Sequence, residues 1–115
     1  MANLEYREMQ LYELMPDEEI ARLAKGGDPY AMEFLIAKYK FMVRAKVRSY
    51  FLIGADQDDL LQEGMIGIYK AVRDYETDKE ASFRTFAELC VTRQIISAVK
   101  AAAAAVQPIK RAAKS

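Results

Sequence analysis

The chain has 115 residues, just over half of them apolar, and its 17 Lys+Arg balance 17 Asp+Glu for a formal net charge of zero. That length fits one compact domain; no apolar run approaches the ~18–20 residues of a membrane span, and no basic patch followed by an apolar stretch marks a secretory signal. One Cys excludes an internal disulfide framework, and the lack of any His beside it leaves too few ligands for a structural zinc site.

Strict apolar/polar alternation is scarce, and Gly and Pro sit mainly at junctions. The sequence therefore predicts an all-α fold, a compact bundle of about four to five helices with no sheet. Residues 3–14 read as a short first helix. Pro16-Asp17 opens a helix that Gly26-Gly27 stops. Asp28-Pro29 then places a capping residue directly before Pro at the first helical position, starting a helix expected over residues 29 to about 51, with Gly54 able to close it. Asp56 is expected to cap a helix reaching about residue 75, and residues 76–81 read as polar and irregular. Ser82 is expected to cap the last helix, from 83 to about 106, ended by Pro108. The expected domain covers 1–107, with 1–16 as an N-terminal extension or short helix and 108–115 as a tail.

The neutral sum hides four alternating blocks. Residues 1–33 hold eight acids and three bases, and residues 34–55 five bases and no acid. Residues 56–80 again hold eight acids and three bases, and residues 81–115 six bases and one acid. The net charges are −5, +5, −5 and +5. Fields of opposite sign on different elements steer different partners. Each block taken alone also suits a solvated helix face paired with its neighbour. The two basic blocks together make nucleic acid a plausible partner.

Placed at about 100° per residue, Leu60, Leu61, Gly64, Gly67, Ile68, Ala71, Val72 and Tyr75 share the core arc of the third helix. Its opposite side carries Asp59, Gln62, Met65, Ile66, Tyr69 and Arg73, with Glu63 and Lys70 at the border. Three large apolar side chains facing away from the core need either another helix of the domain or a protein partner. Gly64 and Gly67 each cost about 1 kcal/mol against Ala in a helix, which close approach of a neighbouring helix would explain.

On the fourth helix the core arc is Phe83, Phe86, Ala87, Cys90, Val91, Gln94, Ile95 and Ala98, which makes Cys90 a small packing residue rather than a reactive thiol. The other side carries Thr85, Leu89, Thr92, Arg93, Ile96 and Lys100, with Glu88 as the lone acid. Hydroxyls mixed with cations suit phosphates and base edges. Tyr75, Phe83 and Phe86 give an aromatic cluster beside basic residues, suited to stacking unpaired bases. Core packing is the competing account, expected to hold more for Phe83 than for Phe86 or Tyr75.

The stretch from Asp59 to Val72, with Asp59-Leu60, Gln62-Glu63-Gly64, Ile66-Gly67-Ile68 and Ala71, resembles the core-binding helix of bacterial sigma factors of the sigma-70 family, region 2. Ser82-Phe83-Arg84-Thr85-Phe86-Ala87 and Arg93-Gln94-Ile95-Ile96 resemble two further strings of that family. Residues 43–56 and 86–96 are similar to the alternative sigma factors of stationary-phase and sporulating bacteria. The resemblance covers roughly residues 17–102. It implies a cytoplasmic transcription initiation factor with no cofactor, which docks on the clamp coiled coil of the RNA polymerase β′ subunit and binds promoter DNA as duplex and as non-template single strand. An anti-sigma factor is a further candidate partner. By the same resemblance Asp59, Gln62, Glu63, Met65, Ile66 and Tyr69 contact polymerase. Thr92, Arg93, Ile96, Ser97 and Lys100 face the −10 element, and Tyr75, Phe86 and Leu89 hold the base flipped as melting starts.

The chain departs from the family pattern at several places. Leu89-Cys90 stand where primary sigma factors carry a Trp pair, and the chain has no Trp. Ile96 replaces a polar base-reading type, and Ala101–Ala105 replace polar and basic residues. The family's −35-binding helix-turn-helix domain has no counterpart here, so the chain is expected to be part of a longer factor. Two other readings stand beside this one. A helical protein-interaction module would keep the polymerase-facing helix without a DNA role. An enzyme fits poorly, because there is no His, no phosphate-cradling glycine loop and no carboxylate pair placed as a dyad. Asp56, Asp58 and Asp59 suit capping and partner contact better than cation binding.

Overall fold

Caps and glycine stops set the helix boundaries. The computed structural model describes residues 10–50, 56–78 and 81–114, with side chains to residue 104. A helical turn at residues 10–13 precedes four helices: α1 (Asp17–Lys25), α2 (Pro29–Ser49), α3 (Gln57–Asp74) and α4 (Phe83–Lys114). No strand occurs among the described residues. The start of the expected first helix and the closing role of Gly54 lie outside them, and α2 ends at Ser49, close to the residue 51 expected.

α1 begins with Asp17, Glu18 and Glu19, acids that favour the positive end of the helix dipole. It stops at Gly26-Gly27, where Gly27 takes φ +109, a left-handed conformation open to glycine. Asp28 then caps α2. Its Oδ1 accepts from the backbone N–H of Tyr30 at 3.0 Å and of Ala31 at 3.2 Å, and its Oδ2 accepts from the Tyr12 hydroxyl at 2.7 Å. Asp56 caps α3 by accepting from the Asp58 N–H at 2.7 Å.

α4 has two caps. Ser82 Oγ accepts from the Thr85 N–H at 3.2 Å, as the sequence predicts. The Phe83 N–H donates at 2.7 Å to Glu18, which reaches across from α1. The other end differs from expectation, because the helix passes Pro108 and continues to Lys114. A proline inside a helix removes one backbone hydrogen bond and costs about 3 kcal/mol. Here it follows the alanine run 101–105, the strongest helix-forming composition, on a helix already nucleated over five turns.

The core is built from one face of each helix: Ile20, Ala21 and Ala24 of α1, Leu35, Tyr39 and Val43 of α2, Leu60, Ile68 and Val72 of α3, and Phe83, Val91 and Ile95 of α4. α3 is the centre. A Cβ added at Gly64 would lie 2.5 Å from Val43 Cγ1, and one at Gly67 would lie 2.8 Å from the Cα of Val91. The two glycines therefore have the packing role that the sequence assigns them, one against α2 and one against the backbone of α4. Asp17 ties α1 to α2 by accepting from Lys38 Nζ at 2.6 Å and from the hydroxyl of buried Tyr39. Burial and the neighbouring Asp17 carboxylate raise the Tyr39 phenol above its ordinary range.

Candidate functional site

Because α3 is buried along its glycine side, its outer face is free. The side chains that the sequence places there do face outward. Asp59, Gln62, Ile66, Tyr69 and Arg73 are exposed, while Met65 and Glu63 are half-buried. Ile66 and Tyr69 are 40% and 50% exposed, so they form a ridge of large apolar surface. A groove of about 500 Å³ runs on one side of this ridge, lined by Ile36, Lys40, Leu61 and Met65, and a second of about 660 Å³ runs on the other, lined by Met32, Lys25, Lys70 and Arg73. Met32, Ile36 and Lys40 come from α2 and extend the face beyond the residues found from the sequence. They recur at a four-residue spacing, a signal that could have marked them as one stripe.

Toward its N-terminus the same face turns acidic. Asp56, Asp59, Gln62 and Glu63 border a hollow whose far wall is Ala98, Ala101 and Ala102 of α4. Small side chains on that wall leave the carboxylates accessible. Asp56 serves as a cap, and among the described residues no group of three potential ligands could hold a metal ion.

The outer face of α4 carries the opposite charge. Arg93, Ser97 and Lys100 are exposed, and Thr92 and Ile96 are half-buried. Leu89 is 43% exposed. Glu88, the one acid of this block, lies 3.4 Å from Arg84 and 4.0 Å from Lys46 of α2. Its charge is thereby matched twice. Among the described residues neither Arg93 nor Lys100 has a carboxylate within salt-bridge reach, so the face keeps net positive charge for a partner.

The aromatic cluster sits between α3 and the start of α4. Tyr75 is only 5% exposed. Its ring meets Phe83 edge-on at 5.3 Å and Phe86 at 5.7 Å, and its hydroxyl donates to the Ala81 carbonyl at 2.8 Å. Core packing therefore holds for Tyr75 as much as for Phe83, contrary to the expectation that ranked Tyr75 with Phe86. The reason is the C-cap of α3: the chain turns extended at Tyr75 and directs the ring inward rather than along the helix. Phe86 is half-buried on top of it. Cys90 is half-buried against the core, consistent with packing.

A polar link joins the two faces. Gln94 of α4 donates through Nε2 to Glu63 at 2.7 Å and accepts through Oε1 from Lys70 Nζ at 2.8 Å. The sequence places Gln94 on the core arc without a partner, because cross-helix pairing at that depth depends on how closely the glycines let α3 and α4 approach.

No helix among the described residues is long and apolar enough to cross a membrane. Residues 35–105 match the family described as Sigma-70 region 2. Over 88 residues the chain is 57% identical to the RNA polymerase sigma-H factor of Bacillus licheniformis, an alignment covering 76% of this chain and 40% of the relative. The same figures hold for the RNA polymerase sigma-H factor of Bacillus subtilis (strain 168). The RNA polymerase sigma-K factor of Bacillus subtilis (strain 168) is 28% identical over 80 residues, covering 70% of this chain and 27% of the relative. The chain thus spans about 40% of the length of the sigma-H relatives it matches.

Proposed function

Because the chain belongs to the sigma-70 region 2 family, we propose that it is the promoter-recognition domain of an alternative, sigma-H-like sigma factor, a non-enzymatic transcription initiation factor whose two opposed faces divide the work. α3 docks on the clamp coiled coil of the RNA polymerase β′ subunit. The Ile66–Tyr69 ridge and Met65 supply apolar anchors, and Asp59, Gln62 and Glu63 meet basic groups of the clamp. An anti-sigma factor that covered the same ridge would compete with polymerase.

α4 reads and opens the −10 element. Arg93 and Lys100 neutralise phosphates, while Thr92 and Ser97 offer hydroxyls to phosphate oxygens or base edges. Ile96 has no polar atom to offer, so it contributes apolar contact only. Unstacking a base costs a few kcal/mol, which a pocket on the protein must return. Here Leu89 and the upper face of Phe86 would receive the base. Buried Tyr75 would be the floor that fixes the Phe86 ring.

The observation that carries this reading is the segregation of an acidic-apolar face on α3 from a basic, hydroxyl-bearing face on α4, two helices held together by Gly67. Two variants test it. Asp59→Lys combined with Gln62→Lys should abolish binding to core polymerase while leaving the circular dichroism and melting temperature unchanged; unchanged affinity removes the docking assignment. Arg93→Glu should spare polymerase binding and impair −10 opening in the assembled complex. Normal opening by that variant removes the assignment of α4.

A further inference from the structure

Gln94 occupies a position that neither face needs for its own contacts. The interface between α3 and α4 is otherwise apolar and, at Gly67, almost smooth. Apolar contact is non-directional, so it leaves the helices weakly specified against small rotations or slides. Hydrogen bonds are directional. The two bonds of the Gln94 amide are side-chain hydrogen bonds that join α3 to α4. The amide is fully polarised in this arrangement, because its nitrogen gives to a carboxylate and its oxygen receives from an ammonium. Both bonds are charge-assisted, and Glu63 and Lys70 stand seven residues apart on one side of α3, so together they fix α4 against both sliding and rotation.

Glu63 is also one of the carboxylates on the proposed docking face. Its Oε1 is committed to Gln94, which leaves the lone pairs of Oε2 for a cation of the partner. On α4, Gln94 directly follows Arg93, so the orientation that the amide enforces is also the orientation of the DNA-facing guanidinium. We propose that Gln94 is a positioning residue that couples polymerase docking on α3 to DNA binding on α4. Docking draws Glu63 toward a cation, Glu63 carries the Gln94 amide with it, and α4 is held in the rotation that presents Arg93. This inference rests on the function proposed above. Coupling of this kind is reciprocal, so DNA should tighten polymerase binding by the same factor that polymerase tightens DNA binding.

The test measures that factor. The full chain is titrated with a single-stranded −10 non-template oligonucleotide, alone and in complex with core polymerase, and the ratio of the two affinities is taken. Gln94→Leu, close in volume, should leave core affinity and melting temperature near wild type and reduce the ratio by about fivefold or more. Gln94→Glu alone sets two carboxylates against each other and should also lose the ratio. An unchanged ratio in Gln94→Leu overturns the proposal while the functional reading stands. So does a parallel fall in melting temperature and in both affinities, which marks Gln94 as merely structural. Wild-type protein that binds both ligands without coupling overturns it too. Wild-type protein that binds neither polymerase nor the oligonucleotide overturns the functional reading itself.

Discussion

Adding one methyl group at Gly67 tests the closest helix contact in the fold. In Gly67→Ala the new Cβ would lie 2.8 Å from Val91 Cα and 3.1 Å from both Val91 N and Cys90 O. All three are backbone atoms of α4, so no side-chain rotation relieves them. Ordinary contact begins near 3.4 Å, so the helices must part by about 0.6 Å. A gap of that size along a packed seam forfeits a quarter or more of the dispersion energy there. Overpacking of this kind costs roughly 2–3 kcal/mol, and Ala returns about 1 kcal/mol in helix propensity. The expected net loss is about 1–2 kcal/mol, or roughly a 5–10 °C fall in melting temperature for a domain of this size. Thermal and urea unfolding followed by circular dichroism measure it. Gly26→Ala is the control, since its Cβ would sit 3.5 Å from the nearest atoms and its φ of −76 suits any residue. That variant should be neutral or gain a few tenths of a kcal/mol up to about 1. Gly67→Ala that proves as stable as Gly26→Ala would refute the argument, because α3 and α4 would then not touch through their backbones. Lengthening of the Gln94 bonds should accompany the loss, so the same variant also weakens the link between the two faces.

Two further predictions concern the caps. The Asp28 carboxyl is held below its ordinary value of 3.8, first by the Tyr12 hydroxyl and then, against some desolvation, by the N–H groups of Ala31 and Tyr30. A depressed folded-state value adds stability above the unfolded value and loses it as pH falls through the folded one. Melting temperature should therefore drop below about pH 4, and Asp28→Ala should cost about 1 kcal/mol at neutral pH and flatten that acid slope; an unchanged slope counts against the cap. Glu18→Ala leaves the Phe83 N–H without its acceptor and should cost about 1–2 kcal/mol, whereas Glu18→Gln keeps an acceptor oxygen and should recover most of it. Denaturant midpoints measure the loss, and amide exchange at Phe83 locates it.

Helix starts were the most legible part of the sequence, because Asp28-Pro29, Asp56 and Ser82 each cap through a side chain only two or three residues away. The outer faces of α3 and α4 were legible for a similar reason, since one helical period assigns every residue an azimuth. Three features were not. The passage of α4 through Pro108 depends on the summed propensity of the alanines before it, which a single breaker residue hides. The choice between core packing and base stacking at Tyr75, which the helical period alone puts on the core arc, is decided by the extended turn after α3. Glu18 and Gln94 act across helices, over 65 and 31 residues of sequence, and periodicity within one helix carries no information about such pairs.

Asp17 and Glu18 are adjacent in sequence yet reach two different helices, Lys38 and Tyr39 of α2 and the first N–H of α4. The family match begins at residue 35, beyond both of them. The stretch that is shared as a pattern is therefore shorter than the stretch that folds as a body. A fragment trimmed to the matched boundary would open the pocket filled by Ile20, Ala21 and Ala24, leave the buried Tyr39 hydroxyl without its acceptor, and remove one of the two caps of the helix assigned to DNA. α1, which contributes Lys25 to the rim of one proposed face, sets the smallest piece of this chain in which those faces can be studied.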